Sequence, residues 1–110
     1  MEIDGKARLK QPQYFIMRGK KLIPVDYMEA AKYMGTAEHH VAYTSLLGNT
    51  VHVSTVFLCI NRNLYGEGKP VLFETMVFGG GFDGYQERYT SYRKAVKGHV
   101  EAIKFVLLNQ

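Results

Sequence analysis

The chain has 110 residues, a net charge of +4 and one cysteine, Cys59. That length suits one compact domain and is too short for two. It has no apolar run of membrane-spanning length and no signal-peptide pattern, and one cysteine excludes an intrachain disulfide and a four-thiolate metal site.

In chain order, residues 1–13 lack periodicity and read as a mobile arm or edge segment. Tyr14 to Met17 and Lys21 to Val25 read as two short strands around a turn at Arg18-Gly19-Lys20. Asp26 is placed to cap a short helix, with Glu29 three residues on and Gly35 to stop it. Tyr27, Ala30, Ala31 and Met34 would form its apolar stripe. Strands follow over Val41 to Leu47, Val51 to Ile60 and Pro70 to Phe78, the first two joined by a two-residue turn at Gly48-Asn49. A long helix is expected from Tyr92 to Leu107 with Ser91 as its cap. Tyr92, Ala95, Val96, His99, Val100, Ile103, Val106 and Leu107 would form one face. The whole predicts a single α+β domain over 1–110: an antiparallel meander of about four to five strands, a short helix, and a long C-terminal helix packed on one face.

The turns set a register. It pairs Ser45 with His52, Tyr43 with Ser54, Phe57 with Phe73, Thr55 with Thr75 and Val53 with Val77. One sheet face is then apolar and should receive the long helix. The other carries Tyr43, Ser45, His52, Ser54, Val56, Glu74, Met76 and Phe78. It is half apolar and half polar, and calls for a cover: the short helix, another subunit or a ligand.

Two basic clusters suit an anionic partner. Lys6, Arg8, Lys10, Arg18, Lys20 and Lys21 crowd the start, and Arg88, Arg93, Lys94 and Lys97 follow the glycines. The competing reading is an ordinary solvated surface. Gly79-Gly80-Gly81 can turn several backbone amides towards one point, and a helix N-terminus follows. Arg93 and Lys94 at that terminus oppose the helix dipole unless an anion compensates. With Arg88 and Lys97 they are candidate phosphate contacts, while Phe82, Tyr85, Tyr89 and Tyr92 are candidates to stack on a base or meet a partner. No Walker or G-x-G-x-x-G pattern is present, and the competing reading is a turn with tyrosines on the sheet rim. Glu74 in an apolar strand needs a partner such as His52 or Arg88; His52 with Glu74 is the sole candidate for acid–base catalysis. His39 and His40 should point to opposite faces and share no metal, His99 should be a packed core residue, and Cys59 should be inert. No metal site and no cofactor is expected.

The runs "VSTVFLCINRN", "PVLFETMVFGG" and "DGYQERY", with Gly98-His99 in the last helix, resemble a widespread group of small bacteriophage and prophage proteins. The resemblance covers roughly Val41 to Val100. It implies that Ser54, Thr55, Glu74, Thr75, Gly79, Gly80, Asp83, Gly84, Gln86, Arg88 and Tyr89 belong to the group's pattern, but brings no established activity. The chain departs from the group at Arg93 and Lys94, where acidic residues are usual, and at Leu58-Cys59-Ile60-Asn61, where a glycine-containing run is usual. The resemblance implies a phage setting and a place in the host cytoplasm. The expected role is a non-enzymatic, homo-oligomeric binder in counter-defence. It would inhibit a host nuclease or CRISPR-type complex, or sequester a nucleotide. The alternatives are a phosphoesterase acting on a nucleotide and a structural or assembly protein.

Overall fold

A computed structural model describes residues 11–110. Lys6, Arg8, Lys10 and most of the expected mobile arm lie outside the described residues. Gln11 is held: its Nε2 donates to the Gly66 and Gly68 carbonyls at 3.1 and 3.0 Å.

The fold is α+β. β1 (Tyr14–Arg18) and β2 (Lys21–Val25) form a two-stranded hairpin, turned at Gly19 with φ +60°. α1 (Tyr27–Met34) follows, its N-terminus capped by Asp26, which accepts the Glu29 N–H at 2.9 Å. β3 (His40–Leu46), β4 (Val51–Phe57), β5 (Phe73–Phe78) and β6 (Gln86–Tyr89) make a separate four-stranded antiparallel sheet in that order. α2 (Tyr92–Leu108) begins at Ser91, whose Oγ accepts the Lys94 N–H at 3.1 Å.

The five expected cross-strand pairs are all present. The connections differ from expectation. The β3–β4 turn takes four residues, with Leu47, Gly48 and Asn49 all at positive φ. β4 stops at Phe57 because Cys59 turns the chain at φ +63°, a left-handed conformation that glycine adopts freely. Past that bend the chain runs between two neighbours. Cys59 accepts from Phe15 N–H and Asn61 donates to Gln13, while Leu58 and Arg62 donate to Leu72 and Val71. Asn61 is buried at this junction with both side-chain polar atoms used. Its Nδ2 donates to Gln11 Oε1 and the Pro12 carbonyl, and its Oδ1 accepts from the Asn63 and Val71 N–H groups.

The core lies on one sheet face. Val51, Val53 and Val77 pack against Ala102 and Val106 of α2. Phe57 and Phe73 meet Ala95 of α2, together with Phe15, Met17 and Ala30. Both helices are narrower inward than their apolar residues suggest. In α1 only Ala30 is buried and Tyr33 is half-buried, stacking edge-on against Phe57; Tyr27, Ala31 and Met34 are exposed. In α2 the buried side chains are Ala95, His99, Ala102 and Val106, while Val96, Val100 and Leu107 face outward. Because α1 joins the cluster on the α2 side, it does not cover the mixed face of the sheet.

Candidate functional site

The mixed face carries two polar groups. Glu74 lies opposite Arg88 across β5 and β6. Its Oε2 accepts from Arg88 Nε at 2.9 Å and also from Gln86 Nε2. The Glu74 side chain is only 13% exposed, so the ion pair fixes the charge within the sheet surface. Towards the other end, His52 Nδ1 lies 2.7 Å from Tyr43 Oη and 3.0 Å from Ser45 Oγ, and the Tyr43 ring stacks on the imidazole. His52 pairs with Phe78, four residues along β5 from Glu74, about 13 Å at strand rise. The two candidate catalytic residues are therefore apart, each with its own partners. Around them Tyr43 is 60% exposed and Phe78 47%. Among the described residues no further layer lies on this face.

The residues expected to bind an anion are divided between the two ends of α2. Gly79, Gly80 and Gly81 border a cavity of about 250 Å³ together with Val106 and Asn109 at the helix C-terminus. Arg93 is thirteen residues earlier in the helix, about 20 Å away at helical rise. The glycine amides therefore lie by the negative end of the α2 dipole, not the positive end. The loop also supplies its own acid: Asp83 Oδ1 accepts the Gly79 N–H at 2.7 Å. Gly79, at φ +88°, has no room for a side chain, because a Cβ there would fall 2.3 Å from the Thr50 carbonyl oxygen. Arg88 is on the opposite sheet face, paired with Glu74. Lys94 and Lys97 border a groove on the β6 side with Glu87 and Glu101.

The four candidate stacking residues meet the protein itself. Phe82 and Tyr85 both pack on Phe105 of α2, with ring centroids 4.7 and 5.3 Å away. Tyr92 meets Phe73 edge-on at 6.3 Å and receives Lys20 Nζ over its ring at 5.2 Å. Tyr89 lies over Gly98. Burial, more than the nearby Glu87, pushes that phenol above its ordinary pKa.

Sequence reasoning missed the polar chain inside the core. Thr44 Oγ1 lies 2.9 Å from His99 Nε2, and His99 Nδ1 lies 2.8 Å from Thr55 Oγ1. Thr55 Oγ1 continues to Thr75 Oγ1 at 2.5 Å. Burial holds the imidazole below its ordinary pKa, so it is neutral, one ring nitrogen donating and the other accepting. The available signal was three threonines at helix-facing strand positions opposite a histidine on the helix. Cys59 is buried as expected, and burial raises its thiol to about 11. The rings of His39 and His40 lie together, centroids 4.2 Å apart. His39 ends a 3₁₀ turn (Ala37–His39), so strand alternation does not separate the pair.

Comparison with protein-family models, with curated proteins and with solved structures gives no match. Among the described residues no helix is long and apolar enough to cross a membrane.

Proposed function

We propose that this chain is a non-enzymatic binding protein that occupies a protein surface through the mixed face of its four-stranded sheet. The observation that carries this reading is the exposure of Tyr43 and Phe78 on a face whose polar groups, Glu74–Arg88 and Tyr43–His52, are already paired. Exposed aromatics around ordered polar groups suit a protein partner, where a few aromatic anchors supply most of the affinity. Of the two binding roles, a protein surface is favoured over a nucleotide. The Gly79 amide is taken by Asp83, and three of the four cations of α2, Arg93, Lys94 and Lys97, stand towards the far end of the helix. The phage resemblance makes the partner a host defence complex in the host cytoplasm, which the protein blocks.

The test is retention of a defined host protein from bacterial extract on immobilised protein, repeated with a Tyr43→Ala, Phe78→Glu double variant. Retention by the parent chain and loss in the variant supports the reading. Equal retention by both overturns the assignment of the face. A thermal shift from a nucleotide panel with no protein retained overturns the protein-surface reading itself.

A further inference from the structure

α2 has a second apolar stripe that its own sheet uses only at Ile103, which packs partly against the valine cluster. Val96, Val100, Ile103 and Leu107 recur at intervals of four, three and four. That is the spacing of a seam made to receive another helix. Val100 is 45% exposed, Val96 and Leu107 are similarly exposed, and Ile103 is half-buried. At 100° per residue this stripe is turned about 100° from the buried Ala95, His99, Ala102 and Val106. It lies on the β3 side, because His99 at the edge of the buried face reaches Thr44 of β3. β3 is a sheet edge, and its half-buried Ala42, Thr44 and Leu46 alternate with the exposed Tyr43 and Ser45. The result is a shelf with α2 as wall and β3 as floor. On the β6 side the corresponding space is filled by Tyr85 and Tyr89 against Phe105 and Gly98.

The rim of the shelf is positive. Lys97 and Lys104 stand seven residues apart, each directly following a seam residue, and Arg93 precedes Val96 by a turn. All three are exposed, and none makes an ion pair among the described residues. Lys97 also borders the β6 groove. At the start of the stripe a cavity of about 550 Å³ is bordered by Lys20, Tyr92, Arg93 and Val96. α2 has four cations, one acid, and no acid in its first turn. A second copy is a poor occupant, since an antiparallel copy of α2 would bring Lys97 of each helix near Lys104 of the other, and a parallel copy would set each lysine against its own counterpart. We infer that this shelf docks an acidic amphipathic helix of another protein. The helix lies along α2 with its apolar stripe on Val96–Leu107 and carboxylates against Arg93, Lys97 and Lys104. This contact is independent of the mixed sheet face proposed above.

The probe is a pair of synthetic 21-residue peptides with leucine at the first and fourth position of each heptad, one flanked by glutamates and the other by lysines. Binding is read by fluorescence anisotropy. The glutamate peptide should bind, and more weakly as salt rises. Val100→Glu should weaken it more than about 30-fold, the loss of a central apolar anchor, with the folded circular dichroism spectrum retained because Val100 is exposed. A Lys97→Glu, Lys104→Glu variant should reverse the preference to the lysine peptide. Tyr43→Ala, Phe78→Glu should leave peptide binding unchanged, which separates this inference from the sheet-face reading. Equal binding of both peptides, or of neither, overturns the inference. So does a concentration-dependent dimer in sedimentation that Val100→Glu abolishes, which would make a second copy the occupant.

Discussion

The carboxylate of Asp83 accepts the backbone N–H of Gly79 at 2.7 Å and closes the loop between β5 and β6 from within. The glycines thus serve close approach: at Gly79 any Cβ would meet the Thr50 carbonyl, and at Gly80 it would crowd Val51. Gly79→Ala should lower stability by about 2–4 kcal/mol, since strain and backbone collision add. Asp83→Ala should cost about 1 kcal/mol, the usual net value of one exposed hydrogen bond, and Asp83→Asn less. Chemical denaturation of the three variants checks this, and an unaffected Gly79→Ala would refute the steric argument.

His99 ties pH to stability. Its pKa is lowered in the folded state by burial, so the unfolded chain binds the extra proton first. The contribution is therefore fully present above the unfolded value near 6.5 and declines as pH falls through it towards the lower folded value. His99→Gln should remove this part of the slope and cost about 2–3 kcal/mol, because Thr44 and Thr55 lose a well-placed partner. Urea midpoints at pH 7.5 and 5.5, compared between the two chains, test both the sign and the source.

Gly98 inverts a familiar rule. Glycine inside a helix is normally about 1 kcal/mol worse than alanine. A Cβ at Gly98, however, would lie 2.2 Å from the Tyr89 ring. Gly98→Ala should therefore destabilise the parent chain yet stabilise a Tyr89→Ala background. A double-mutant cycle reads the change of sign directly.

Cys59 should resist modification while the chain is folded. It is buried, and its thiol is raised to about 11, so almost no thiolate exists at pH 8. Disulfide-reagent titration should give no rapid release from native protein and one equivalent after denaturation. Rapid native reaction would show that the bend at Cys59 opens on the time scale of the assay.

The sheet register was legible because symmetric closure of the turns pairs Phe57 with Phe73 and Val53 with Val77, which puts these four apolar residues on one face. The cap of α2 was legible because Ser91 immediately precedes the periodic run. β6 was not anticipated: Gln86-Glu87-Arg88-Tyr89 is short and polar, as an edge strand with one exposed side can be. Without β6 the glycines read as adjoining the start of α2. Gly81 and Arg93 are close in sequence, but β6 carries the chain back along the sheet and parts them by most of the length of α2. The eight residues expected on one face of α2 span two, and periodicity does not say which of them a sheet will cover. The bond from Phe15 to Cys59 links distant parts of the chain, and neither residue's neighbours announce it.

That link orders events during synthesis. The β1–β2 hairpin is made early, yet the strand position beside Phe15 is supplied by Cys59, Ile60 and Asn61, after β3 and β4 have been made. The cluster that Phe15 and Met17 enter also needs Phe73 and, from α2, Ala95. Until those arrive, Phe15 and Met17 of β1 have only β2 and α1, through Leu22, Val25, Ala30 and Tyr33, to pack with. On the ribosome the hairpin therefore waits with its apolar face incompletely covered, open to chaperones and proteases.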